Sequence, residues 1–261
     1  MPPRAHAKLS ASGSSMWINC PGSYGLTKDL PDVETSFAEE GTRAHAYCEY
    51  LVRKDVNKEV NLKEVVPDNR EMELCGQDYA DFVLDKCIED WEDFPLVEVE
   101  QKVDFPLVEV EQKVDFSPWV KEGFGTCDCL IVKADKLVII DFKYGKGVKV
   151  EAKGNTQLRL YALGALNRFD LWDFKTIEMN IFQPRLDHIS TEEIPIEELM
   201  QFGEFAKKAS TLAYSCKGPL KAGPWCQFCK VNAVCKERAK KPLETIRKIL
   251  EIGGNKQCNK N

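Results

Sequence analysis

Two aspartates and a lysine stand at spacings that could do metal-assisted chemistry. Within residues 123–147, GFGTCDCLIVKADKLVIIDFKYGKG, Asp128 and Asp141 flank a polar turn, Lys133-Ala134-Asp135-Lys136, and Lys143 follows two residues after Asp141. The apolar runs on either side of the turn are short and β-branched, which favours two strands over a helix. If Val132 pairs with Leu137, the antiparallel register counts back to place Asp128 opposite Asp141. Facing side chains on one sheet face have Cβ atoms roughly 4.5–5.5 Å apart, and like charges there destabilise. Alternation along the strand puts Asp141 and Lys143 on a common face. A hard divalent ion such as Mg²⁺ would relieve the carboxylate pair, and such ions bind through one or two carboxylates, waters and a substrate phosphate. The same residues also fit a rim aspartate beside a surface Asp141–Lys143 ion pair, and spacing alone does not choose.

Near the C-terminus, PWCQFCKVNAVC places Cys226, Cys229 and Cys235 in a C-x2-C-x5-C pattern. A CxxC brings two thiolates within reach of one metal centre, and the third cysteine strengthens that reading. A fourth ligand must come from elsewhere. Cys20 and Cys216 are the candidates, and Cys20, just before Pro21, would staple the N-terminal segment to the C-terminal one. Zinc and an iron–sulfur cluster use the same thiolate chemistry, so the spacing leaves both open. Reduced buried thiols without metal are the remaining alternative.

The elements that must position these groups follow from periodicity. Residues 9–20 predict a short helix entered through a serine-rich cap, with Trp17 as anchor. Residues 35–54 predict a longer helix that carries His45, with Gly41 one turn earlier leaving space beside the imidazole. A further helix is expected over 68–94. FPLVEVEQKVD then occurs twice in tandem, at 94–104 and 105–115. Each copy alternates like a half-buried strand, and the second is the one expected in the main sheet. The loop after the hairpin carries Lys143, Lys146, Lys149 and Lys153, which suits either a solvated loop or a phosphate backbone. Asn155 or Thr156 caps a helix to about Arg168, with Gln157, Tyr161 and Gly164 on one stripe. Paired strands are expected at 176–183 and 188–193, then an amphipathic helix at 196–214.

The net charge of −6 does not advertise nucleic-acid binding, although local patches matter more than the sum. No stretch approaches the roughly 20 apolar residues of a membrane helix. The first twenty residues contain no apolar signal-peptide core, so a cytoplasmic protein with no membrane partner is expected. Eleven cysteines in such a compartment favour metal ligation or reduced thiols over disulfides.

His45 on a helix, GTCD ending at Asp128, DFK over 141–143 and QLRLY over 157–161 occur in an order similar to the motif series of the PD-(D/E)XK nuclease superfamily, RecB-like exonuclease branch. The cysteine layout resembles the iron–sulfur subset of that branch, which includes CRISPR-associated RecB-like and AddB-type nucleases; in overall texture the chain is similar to an uncharacterised phage and prophage family. The resemblance spans about 9–238, with the first repeat copy and the C-terminal tail outside it. It implies an α/β fold, a restriction-endonuclease-like core with a mixed central sheet flanked by helices. It implies one nuclease domain over 1–239, with cluster-binding segments at 9–34 and 216–238, a duplicated insertion at 94–104 and a polar tail at 240–261. By the same resemblance His45, Asp128, Asp141 and the Phe142 carbonyl would ligate Mg²⁺ or Mn²⁺. Asp128, Asp141, Lys143, Gln157 and Tyr161 would form the catalytic set, with Glu111 a second-tier candidate. Cys20, Cys226, Cys229 and Cys235 would hold a [4Fe–4S] cluster. The implied activity is metal-dependent hydrolysis of DNA in phage or prophage recombination and repair, with DNA and possible phage or host recombination proteins as partners. A non-catalytic DNA-binding or scaffold module of the same fold, and a zinc-stapled interaction protein, are the other two readings.

Overall fold

The computed structural model describes residues 7–31, 36–59, 61–89 and 106–240. The first repeat copy, at 94–104, and the tail beyond residue 240 lie outside the described residues. Near the N-terminus, α1 (Ser14–Asn19) and α2 (Gly22–Thr27) meet at Cys20-Pro21. The N-terminal helix is shorter than its sequence suggested and carries no side-chain cap; Ser10 instead accepts the Gly13 N–H at 3.1 Å outside it. Trp17 is buried as expected, its indole N–H donating to the Ser10 carbonyl at 2.9 Å. Helix α3 (Ser36–Leu51) continues into a π-helical turn at Val52–Val56, and α4 (Arg70–Ile88) starts at Asn69, whose side chain accepts the Met72 N–H.

The second repeat copy forms β1 (Leu107–Asp115), and the hairpin forms β2 (Phe124–Val132) and β3 (Lys136–Phe142). Helix α5 (Thr156–Arg168) crosses over to β4 (Thr176–Gln183), followed by β5 (His188–Pro195) and α6 (Ile196–Tyr214). The sheet runs β1-β2-β3-β4-β5; β3 and β4 are parallel, and the other neighbours are antiparallel. A parallel neighbour requires a crossover, and α5 supplies it.

The sheet separates two apolar layers. Leu130, Val132, Leu137, Ile139, Ile177 and Ile181 face the layer of α1, α5 and α6, whereas Ile131, Val138, Ile140, Phe142 and Phe182 face that of α3 and α4. Strands β1 and β2 change faces midway. Val110 and Cys129 belong to the α3–α4 layer, but Val114 and Cys127 belong to the opposite one. Accordingly Glu109 and Gln112, three residues apart, both meet Arg168 on α5, at 2.6 and 2.9 Å. The register stays constant across the change, with Val110 opposite Cys129 and Gln112 opposite Cys127. Glu111, between them, has φ 51°. A non-glycine residue in that left-handed region costs about 1–3 kcal/mol, and such positions cluster at functional sites.

Candidate active site

The hairpin register is the one counted from the turn: Val132 pairs with Leu137, and the ladder runs back to Cys129 and Ile140. Asp128 and Asp141 are the next residues on each strand. The Asp128 carboxylate accepts the Phe142 N–H at 2.8 Å through Oδ2 and lies 3.3 Å from His45 Nδ1 through Oδ1. The left-handed turn at Glu111 brings its carboxylate to the same imidazole, at 3.9 Å. One ligand atom from each of His45, Glu111 and Asp128 can be chosen so that all lie within 4.8 Å of one another. Helix α3 presents His45 to this point, and the Phe142 ring meets it edge-on at 5.3 Å. A Cβ added at Gly41 would meet nothing within 4 Å, so the helix is open there.

Asp141 is almost fully buried, at 1% exposure. Its Oδ1 accepts from Gln157 Nε2 at 2.8 Å and its Oδ2 pairs with Lys143 Nζ at 2.8 Å. The Lys143 ammonium is thus the cation that compensates this buried carboxylate. Gln157 also donates to the Tyr161 hydroxyl at 3.1 Å, while its carbonyl accepts from Lys143 at 3.3 Å. The helix that carries this pair begins at Asn155, whose side chain accepts the Gln157 and Leu158 N–H groups. Two glycines let α5 lie close to the sheet. A Cβ on Gly125 would be 2.7 Å from Tyr161 Cε1, and one on Gly164 would be 2.8 Å from Val114 Cβ.

The charges are interdependent. Burial alone would depress the His45 pKa, but Asp128, then Asp141 and Glu111, override it and raise it to about 9. Burial likewise works against the Asp128 carboxylate, yet His45, Lys143 and the Phe142 N–H hold its pKa below the usual range. For Asp141 burial wins: with Asp128 adding repulsion, its pKa lies above the ordinary aspartate value despite Lys143. Lys143 resists its own desolvation because Asp141 and Asp128 face it, so its pKa is raised and it stays an ammonium. These are the environments in which acid, base and metal-ligand roles are found.

A divalent cation fits this group. An imidazole nitrogen and carboxylate oxygens converge, and an imidazole among the oxygens suits Mn²⁺ as well as Mg²⁺. Of the sequence-predicted residues, His45 and Asp128 converge with Glu111, whereas Asp141, Lys143, Gln157 and Tyr161 form an adjoining group, and Phe142 touches the first through its backbone N–H and its ring. Glu111 joins them more closely than its second-tier rank anticipated, because the backbone turn that aims it has no glycine or asparagine to announce it.

Cys20, Cys226, Cys229 and Cys235 line one cavity, together with Met16 and Trp225; Cys216, the other candidate for fourth ligand, does not. The Lys221 N–H donates to Cys20 Sγ and the Gly223 N–H to Cys226 Sγ, both at 3.3 Å. Donors of this kind stabilise thiolate charge. No three of these sulfurs lie within 4.8 Å of one another. The cavity therefore collects the four cysteines without bringing three sulfurs to the spacing of one shared metal ion.

A solved structure described as the "Crystal structure of SSO0001" is similar over 84% of this chain and 95% of that chain, at 13% identity and a TM-score of 0.31, a likeness too slight to carry an argument. A family model described as "Protein of unknown function (DUF2800)" matches residues 6–253, and the chain belongs to that family.

Proposed function

We propose that this chain is a Mg²⁺- or Mn²⁺-dependent deoxyribonuclease of the PD-(D/E)XK type, a RecB-like exonuclease that acts in the cytoplasm on phage or prophage DNA. One observation carries the reading. His45, Glu111 and Asp128 gather their ligand atoms within 4.8 Å, beside a buried Asp141 whose second oxygen is paired with Lys143. A surface ion pair would not bring an imidazole, three carboxylates and an ammonium together at the mouth of one hairpin.

His45, Asp128 and Asp141 would hold the cation, with Glu111 and the Phe142 carbonyl as further donors. When bound, the cation lowers the pKa of a water and offsets charge on the scissile phosphate. Lys143, fixed between Asp141 and Gln157, donates toward an anionic oxygen of the substrate, where a preorganised donor is worth more than in water. Gln157 orients both Lys143 and Asp141 through its two amide ends, and Tyr161 holds Gln157 in turn. Cys20, Cys226, Cys229 and Cys235 would ligate a [4Fe–4S] cluster fastening α1 and the C-terminal segment around the nuclease core.

The test is cleavage of end-labelled linear DNA and of circular DNA across a panel of divalent cations. Degradation of linear DNA that Asp141→Ala abolishes is expected. Cleavage by Asp141→Ala at the wild-type rate refutes the site, and stoichiometric DNA binding without cleavage under every metal makes the chain a non-catalytic module.

A further inference from the structure

A second charged assembly lies just beyond β3. Lys146 Nζ is 2.8 Å from Glu71 Oε1, and Arg185 Nη2 is 2.9 Å from Glu71 Oε2. Arg185 is fixed independently of Glu71. Its Nη1 donates to the Tyr144 carbonyl at 3.2 Å and to both Glu40 oxygens at 3.3 Å, and its guanidinium lies 4.3 Å over the Tyr144 ring. Its side chain is 11% exposed, whereas those of Glu71 and Lys146 are 44% and 54% exposed. Lys146 also donates to Oε2 at 3.2 Å, so the two cations together span both oxygens of the carboxylate, as they would span two oxygens of a phosphate. The approach is open, since a Cβ on Gly145 or Gly147, either side of Lys146, would meet nothing within 4 Å. The assembly also adjoins the site, because Arg185 grips the carbonyl of the residue after Lys143.

We infer that Lys146 and Arg185 form a phosphate subsite for the nucleic-acid strand that passes Lys143, and that Glu71 fills this subsite until the strand displaces it. The identity of the ligand rests on the nuclease reading above. Arg185 keeps Glu40 as its partner throughout, and Glu71, exposed on the first turn of α4, is the group that leaves. The arrangement also reconciles a net charge of −6 with a polyanionic ligand. The positive charge that binding needs is present at the site and masked by the chain's own carboxylate.

The experiment measures the affinity of the full chain for a fluorescent single-stranded oligonucleotide by anisotropy, without divalent metal, over a salt series. Glu71→Gln is expected to tighten Kd at least threefold. Lys146→Met is expected to weaken it at least threefold and to lower the slope of log affinity against log salt by about one. Both side chains are exposed, and unchanged thermal unfolding verifies that neither variant disturbs the fold. Unchanged or weaker binding by Glu71→Gln overturns the inference. If that happens while Asp141→Ala abolishes cleavage, the subsite fails and the nuclease reading stands. If Glu71→Gln tightens binding while the wild-type chain cleaves no DNA under any metal, the subsite stands and the nuclease reading fails. No binding by any of the proteins overturns the inference, and the cleavage assay then decides the nuclease reading separately.

Discussion

Gly125→Ala tests whether β2 and α5 are packed as tightly as the site requires. An unobstructed glycine-to-alanine change in a strand stabilises by about 0.5–1 kcal/mol, because glycine loses more backbone entropy on folding. Here the new methyl would stand 2.7 Å from Tyr161 Cε1, with Ala11 Cβ 3.6 Å away on another side. Carbon atoms in favourable contact are about 3.5–4.0 Å apart, so the ring must retreat by roughly 1 Å. Overpacking of this kind costs about 1–3 kcal/mol. The displaced ring also strains the 3.1 Å bond between Gln157 and the Tyr161 hydroxyl, worth about 1 kcal/mol. The net expectation is a loss of about 1–3.5 kcal/mol, opposite in sign to the unobstructed case. Urea unfolding of Gly125→Ala, Tyr161→Leu and the double variant isolates the contact. Removing the ring removes the clash, so the double variant should be more stable than additivity predicts by about 1–3 kcal/mol. Tyr161→Phe keeps the ring edge and should not relieve Gly125→Ala. Additive energies for the leucine pair, or a stabilising Gly125→Ala, would refute the close approach and with it the argument that Tyr161 is held in place.

Lys143→Met leaves Asp141 buried without its cation and should cost about 3–5 kcal/mol in denaturant unfolding; adding Asp141→Asn should recover part of that loss, and a double variant no more stable than Lys143→Met contradicts the pairing. In metal-free buffer the His45 ring should titrate near 9 by NMR. Since its folded pKa is raised above 6.5, the stability it contributes is full below pH 6.5 and disappears as pH rises through about 9. His45→Ala should flatten the fall in stability over that window, and an unaltered fall counts against the His45–Asp128 pair. Anaerobically purified protein should be brown, and Cys229→Ser should lose both iron and colour; a colourless protein with one stoichiometric zinc assigns the thiols to zinc instead.

Much of the site was legible because its local signals agree with the tertiary structure. The turn between Val132 and Leu137 fixed the hairpin register, and Asn155 marked the start of α5, so Asp128, Asp141, Gln157 and Tyr161 could be related by counting. Strand β1 was not legible in the same way. Val108, Val110 and Val114 alternate as though they shared one face, yet Val110 and Val114 enter different layers. The cause is one left-handed glutamate, stabilised by its surroundings rather than by its own propensity, and alternation cannot reveal it. Arg185 was invisible for a related reason. It belongs to no local motif, and its partners Glu40, Glu71 and Tyr144 come from three other segments of the chain.

The side change in β1 and β2 bears on how the molecule comes apart. A sheet whose strands keep their faces can shed one helical layer and leave the other layer's contacts in place. Here the stretch of β1 that anchors Val110 against α3 and α4 leads within four residues to Val114, which lies beneath α5. Peeling away either layer loosens the backbone that supports the other. The two layers are therefore expected to open together, which native-state hydrogen exchange would read as similar protection of the slowest amides in α4 and α5.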